Sequence, residues 1–467
     1  MAPVEELPLR DTLPPPPRGM HPAYAVVFCL NYMMGSGYLT LPKAFADAGP
    51  WWGVTALCAV ALGATAAAEC ILDCMERAKW IAAARTLPES GGSFCRIPLD
   101  RPPSVPRLQR EAPRPTQLPD LCALYLGDLG YYGYVVALSS FMFGSLWCYA
   151  AIFAAAISER LSWMDEAAGV AVFAVLVLPL SLQDLAEQKK TQAMLAFGRL
   201  AMLVAMVVTA MVALFDQGPV APAAPLPPVA AIAELAPVVA FSVVLHHSVP
   251  QIVAPVEART PYTLNVVFRV AFVGAVAIYA LFAVPVALLF GERTAAAANL
   301  GWATYHHVPD ASDPQNGAKS RLVSYLAQFV VLYPAVNVVG AYPITAITFG
   351  DALLALARRC RADRDAVFPR PPARHEVQLA RLAACIPPLV GAALSPDISK
   401  ITGVTGCFGL ALCAVVPGVL ALAARKMSPG PTVHASALNG PGAAAALVVA
   451  GTGVGALAFV GAVAAFV

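Results

Sequence analysis

Residues 29–49 form an apolar run that interrupts itself: Cys29-Leu-Asn31-Tyr-Met-Met-Gly35-Ser36-Gly37-Tyr38-Leu-Thr-Leu-Pro42-Lys43-Ala-Phe-Ala-Asp47-Ala-Gly49. Glycine inside a helix costs about 1 kcal/mol relative to alanine. Gly-Ser-Gly at mid-span, followed by Pro42, therefore marks a place where the backbone leaves helical geometry. In hydrocarbon, irregular backbone survives only where it lines a protein-enclosed cavity. Transporters use that arrangement to bind substrate, because freed N–H and C=O groups face the cavity at membrane depth. The first expectation is a solute carrier.

Composition points the same way. With 59% hydrophobic residues and 12% charged ones, the chain is too apolar for an ordinary soluble domain. The fold class expected is an all-α polytopic membrane protein. Apolar runs of roughly 17–25 residues fall at 22–48, 51–75, 131–157, 167–183, 191–215, 236–256, 267–290, 322–350, 379–397, 401–424 and 442–466, which makes about 11 transmembrane helices. Residues 1–21 are polar and Pro-rich and read as a disordered cytosolic N-terminus; 22–467 read as the transmembrane domain. The Pro-rich stretch 81–118 has too few apolar groups for a core and reads as a disordered cytosolic insert within it. Most of the 30 Lys and Arg sit in connections on one side, among them Arg77, Arg114, Lys190, Arg359 and Arg425. The positive-inside rule then puts the N-terminus in the cytosol and, after an odd number of spans, the C-terminus outside. Nothing in the sequence says which membrane this is.

A second break stands in the sixth span, at Phe241-Ser-Val-Val-Leu-His246-His247-Ser248-Val249-Pro250. Pro250 cannot donate to the carbonyl four residues back, so the C=O of His246 is expected to lack its helical partner. Breaks in spans one and six lie five helices apart. Corresponding breaks in two five-helix halves point to a midplane binding site in an inverted repeat.

At these residues the chain resembles a known family. Asn31-x-x-x-Gly35-Ser36-Gly37 with Leu41-Pro42-Lys43 is similar to the first helix of the amino acid/auxin permeases, within the amino acid–polyamine–organocation superfamily. His247-Ser248-Val249-Pro250 resembles the family's sixth helix, and Tyr333-Pro334-Ala-Val-Asn337 continuing to Thr345 resembles its eighth. The Leu-Thr-x-Pro-Lys-Ala-Phe and His-Ser-x-Pro runs are similar to its transmembrane protein 104-like branch. The resemblance implies an inverted 5+5 repeat with broken helices 1 and 6 plus one extra helix. It also implies amino acid transport by alternating access in a multi-pass secondary active transporter or symporter.

The residues fit that expectation. The outer half of the first span should present unpaired N–H groups and a positive dipole end at Gly35, Ser36 and Gly37. These suit a substrate carboxylate. Free carbonyls near His246, with His247 and Ser248 beside them, suit an ammonium. In sodium-coupled relatives the asparagine matching Asn31 and a hydroxyl near Thr345 help to hold the ion, as the resemblance implies; Ala346 is an equal match for that hydroxyl position. Arg199 lies about eight residues, or roughly 12 Å, into a core of about 30 Å. It either supplies the fixed charge that sodium supplies elsewhere or snorkels to the headgroups. Coupling to a proton, or exchange, is expected rather than to sodium.

Other ionisable groups have plainer readings beside the functional ones. Lys43 and Asp47, one turn apart, are an outer gate or an interfacial pair. Glu69 and Asp73 are expected to meet the cytosolic interface. His246 and His247 carry a proton or bond to a neighbouring helix. No metal-ligand spacing, nucleophile–base pair or phosphate loop is evident, so no enzyme and no cofactor is expected. The partners expected are a small amino acid substrate and the lipid bilayer, with no nucleic acid. The competing reading is a non-transporting amino-acid sensor or scaffold of the same fold.

Overall fold

The protein is described by a computed structural model covering residues 20–86, 117–161, 163–183, 189–220, 226–257, 260–303, 316–361 and 372–464. Among these residues the regular elements are all helices, joined by turns and short irregular connections. The helices are α1 (Pro22–Met33), α2 (Leu41–Ala48), α3 (Pro50–Thr86), α4 (Leu118–Ser158), α5 (Glu166–Ser181), α6 (Lys189–Gln217), α7 (Pro228–Val243), α8 (Val249–Val253), α9 (Pro261–Phe290), α10 (Asn316–Cys360), α11 (Arg374–Leu394), α12 (Ile398–Leu410), α13 (Val416–Met427) and α14 (Pro441–Ala464). Nine helical stretches among the described residues are long and apolar enough to cross a membrane; Pro22–Met33 and Glu166–Ser181 are shorter apolar helices. Together they form eleven spans: α1 with α2 is the first, α7 with α8 the sixth, and α12 with α13 the tenth, joined by a π-helical turn at Ala411–Val415. The chain is an integral multi-pass protein of two five-helix repeats plus one helix.

Both expected breaks are present, each with its own chemistry. Helix α1 ends at Met33, Met34 leaves the helical region (φ −72°, ψ 47°), and a short 3-10 turn at Gly37–Thr40 leads into α2. Proline at the first turn of α2 costs nothing, because its missing N–H has no helical partner there. In the sixth span Val244 is extended (φ −68°, ψ 121°) and a 3-10 turn at His246–Ser248 precedes α8. Pro250 is in the first turn of α8, so it does not make this break. The carbonyl of His246 is not free either: it accepts the N–H of Val249.

At their Met20 ends the two broken spans are tied together. Met20 N donates to Pro255 O at 2.6 Å and Glu257 N donates to Met20 O at 2.9 Å. At the same side of the molecule, the connection 428–440 between α13 and α14 folds back against α3. Asp73 and Glu69, expected at a solvated interface, are instead wholly buried beneath it. Asp73 accepts from Arg77 and Arg425, both at 3.0 Å, and from Thr432 Oγ1. Glu69 accepts from Arg269 Nε at 2.6 Å and from Ser436 Oγ. Arg77 also donates to the carbonyls of Ser428 and Gly430, which pins the connection itself. Two carboxylates buried without partners would be prohibitive in so apolar a chain; here each is matched by arginine and hydroxyl donors.

Two sequence boundaries move. Residues 81–86 of the stretch read as an insert continue α3, and its last residue opens α4. Residues 118–126 form a short helix before Gly127, whose φ of 68° turns the chain into the third span. Tyr125 on that short helix donates to Cys74 O at 2.8 Å and packs it against α3. The N-terminal residues 1–19, and 87–116 of the insert, lie outside the described residues.

Candidate functional site at the two helix breaks

The break in the first span is a small nest of donors. The N–H groups of Ser36, Gly37 and Tyr38 have no acceptor among the described residues. Ser36 Oγ is buried there as well, beside the Cys148 thiol and with no oxygen or nitrogen partner. Successive unpaired N–H groups with a hydroxyl among them favour an anionic oxygen. Gly35 leaves room beside this nest: a Cβ added there would meet only Tyr149 Oη, at 3.9 Å. Gly37 serves another purpose. A Cβ on it would come within 2.8 Å of Phe241 Cδ1 and 3.3 Å of the Ser242 backbone, so glycine there lets the sixth span close against the first.

Arg199, on α6, does not snorkel. It is 8% exposed and reaches into the bundle. Its Nη1 donates to the carbonyl of Asn31 at 3.0 Å and to Asn31 Oδ1 at 3.3 Å; its Nη2 donates to Asn337 Oδ1 at 2.8 Å. One guanidinium thus joins the first, fifth and eighth spans. Gly198 next to it accommodates the ring of Tyr333, whose hydroxyl donates to Leu195 O and holds this stretch of α6 to α10. Thr345 does not belong to this group. Its hydroxyl bonds back to Ala341 O at 3.3 Å and faces Tyr149. The α10 residue that meets Arg199 is Asn337, two turns earlier.

The histidines part company. His246 is wholly buried, its Nε2 lies 2.8 Å from Ala64 O on α3, and its ring stacks on Phe272 at 5.8 Å. It is turned away from the breaks and does not line the site with its side chain. His247 does: its Nε2 is 2.7 Å from Tyr32 Oη, and Ser248 Oγ donates to the same phenol at 2.8 Å. Lys43 and Asp47 pair at 2.5 Å within α2, each side chain about 30% exposed. The pair lies within one helix, and Glu234 of α7 is near enough to feel both of its charges.

Access differs at the two ends of the site. Beyond the first break, Tyr38, Leu41 and Phe45 are buried. The connection after α9 packs there, with Trp302 buried and donating to Thr209 Oγ1 at 2.9 Å, and Asn299 donating to Val331 O at 3.1 Å. On the Met20 side Asn31 is exposed and Tyr32 is 38% exposed. The breaks are covered from the far side, and Asn31 and Tyr32 are left exposed on the Met20 side.

The sequence profile of the family described as "Transmembrane amino acid transporter protein" matches residues 19–428. The chain belongs to that family. Among curated proteins it is similar to a "Transmembrane protein 104 homolog" of Caenorhabditis briggsae, 21% identical over 453 residues, covering 86% of this chain and 87% of that one. Among solved structures it resembles a manganese transporter of Eremococcus coleocola bound to an aromatic bis-isothiourea substituted compound. The TM-score is 0.53 at 12% identity, over 95% of this chain and 87% of the other. A mutant of the same manganese transporter matches with a TM-score of 0.51 at 10% identity, over 96% and 88% of the two chains. At such identities the likeness shows the shared fold. As a member of the amino acid transporter family, the chain is a membrane transporter and not an enzyme. Sequence reasoning missed three residues of the site, Asn337, Tyr32 and Tyr149. Asn337 lay in the eighth-helix run already noted, and an amide inside an apolar span was the available signal.

Proposed function

We propose that this transporter carries zwitterionic amino acids by alternating access, driven by protons or by exchange and independent of sodium. The observation that carries the reading is Arg199 seated between Asn31 and Asn337, beside the donor nest at Ser36. The nest suits a substrate carboxylate. The guanidinium fills the junction of the first and eighth spans with a permanent charge, so a mobile cation at the same junction would meet strong repulsion in a medium of low dielectric. Burial on the far side and exposure of Asn31 and Tyr32 suit an inward-facing state with Met20 at the cytosolic side.

Purified protein in liposomes tests this directly. Labelled amino acids are presented as a panel, with proton and sodium gradients imposed separately. Uptake without sodium is the expected result. Strict sodium dependence overturns the coupling, and no uptake of any amino acid overturns the transport reading.

A further inference from the structure

At the sixth-span break Tyr32 Oη stands between Ser248 Oγ and His247 Nε2. Ser248 Oγ donates to Tyr32 Oη at 2.8 Å, which leaves the phenol's own proton for its other neighbour, His247 Nε2 at 2.7 Å. Nε2 is then an acceptor, and the proton of the neutral imidazole sits on Nδ1, which is buried without a partner. Tyr32 lies on α1, at the open side of the site; His247 lies in the 3-10 turn of the sixth span. Their bond joins the two elements that an opening or closing motion would displace. An imidazole that loses such a donor and meets water has a free lone pair for a proton.

We propose that His247 carries the coupled proton, and that Tyr32 displaces it when the site opens toward Met20. The inference rests on the transport reading above. A proton can drive a conformational cycle only if it binds one state better than the other. Here proton and phenol compete for one lone pair. With Tyr32 withdrawn, Nε2 takes the proton and the imidazole becomes a cation; when Tyr32 returns, its O–H donates to Nε2 and the proton leaves to water on the exposed side. Ser248 favours this direction, because it already donates to the phenol oxygen and so leaves the phenol's proton for the histidine.

The surroundings of His247 suit this. Phe141 of α4 meets the ring at 6.2 Å, and His246 adjoins it on the same turn. Helix α3 reaches the turn through the Ala64 carbonyl on His246, and the π-helical turn against it contains Cys413. Tyr134 and Tyr149 of α4 flank Tyr32. None of these bears a formal charge near neutral pH. The one fixed charge in the group, Arg199, bonds to Asn31, the residue before Tyr32, and helps to expel a proton from the open state.

The test uses full-length protein in liposomes containing a pH-sensitive dye, with an equimolar mixture of the standard amino acids added outside. Wild-type protein should acidify the lumen as amino acids enter. In His247→Gln the acidification should vanish, and whatever uptake remains should be flat with external pH. In Tyr32→Phe, which removes the competing donor, the pH midpoint of uptake should move alkaline by about one unit. Acidification by His247→Gln equal to wild type, or an unmoved midpoint in Tyr32→Phe, overturns the proposal. If His247→Gln does not yield folded protein, the Tyr32→Phe midpoint decides alone. Wild-type uptake without acidification also overturns it and leaves the transport reading standing, whereas absence of uptake removes the transport reading itself.

Discussion

Arg199 Nη2 lies 2.8 Å from Asn337 Oδ1, and together with the bond from Tyr333 to Leu195 O this pairing locks the fifth span to the eighth at the depth of the helix breaks. The partner is an amide, not a carboxylate. The guanidinium is therefore balanced by oriented dipoles from Asn337 and Asn31 and keeps its full positive charge in the site. A buried Arg–carboxylate pair would have cancelled that charge.

Replacing Arg199 should separate its charge from its shape. Arg199→Met removes several hydrogen bonds from a charged donor, each worth about 1.5–3 kcal/mol, and should lower uptake roughly tenfold or more. Arg199→Lys keeps the charge but loses the planar fork that spans Asn31 and Asn337, so part of the activity should survive. Sodium titration of uptake by the Met variant is the informative measurement. A Met variant with wild-type kinetics would show that the guanidinium is dispensable.

The two glycines of the first break should respond differently to alanine. At Gly37 the added Cβ would press on Phe241 at 2.8 Å, forcing the sixth span away, whereas at Gly35 it meets only Tyr149 Oη at 3.9 Å. Gly37→Ala should cost transport and thermal stability together, by about 1–3 kcal/mol, while Gly35→Ala should keep stability and change the apparent KM. Melting curves alongside uptake distinguish the two; equal stability losses contradict the packing argument.

Removing one carboxylate beneath the 428–440 connection should be severe. Asp73→Asn leaves Arg77 and Arg425 without their shared counter-ion, and the loss of one partner of a buried pair costs about 3–5 kcal/mol. A marked drop in melting temperature is expected. Little change would mean that the Ser428 and Gly430 carbonyls hold Arg77 unaided.

His434, in the same connection, lies outside the spans, and burial pushes its imidazole below the ordinary value of 6.5, against the opposing pull of Glu76 and Asp73. The folded state thus binds fewer protons than the unfolded one, so the packing of 428–440 strengthens with rising pH and weakens as pH falls below 6.5. Hydrogen-exchange protection factors at the amides of 432–439, corrected for the intrinsic rate at each pH, should fall on acidification in wild type. The pH response should shrink in His434→Gln; an identical response there assigns it to another group.

Topology can be read from exposed positions on the two sides. A cysteine at Val433 should react only from the cytosol and one at Trp163 only from outside, both positions being well exposed. The opposite pattern would reverse the orientation and the inward-facing assignment with it.

The number of spans and the position of both breaks were legible in the sequence, because hydrocarbon demands long apolar runs and Gly-Ser-Gly disrupts one visibly. Arg199 could be placed by depth, since rise per residue is fixed. Azimuth could not be read. Whether His246 or His247 faces the cavity, and whether Asn337 or Thr345 meets the guanidinium, depends on rotation about helix axes in a chain whose faces are nearly all apolar. The burial of Glu69 and Asp73 escaped for a different reason: their cover, Thr432 and Ser436, stands more than 350 residues later in the chain, and local hydropathy carries no trace of it. The His246 carbonyl was misjudged because Pro250 opens a helix instead of interrupting one.

The backbone bonds between Met20 and residues 255 and 257 give the first and sixth spans a common handle. Two half-helices that would otherwise swing separately are pinned at one end, and their site ends at Tyr32 and His247 part or meet about that pivot. Any pull exerted on the chain ahead of Met20 is thereby delivered to both walls of the site at once. Two backbone bonds at one end of the bundle thus have mechanical purchase on both helix breaks, with no contact of their own to either.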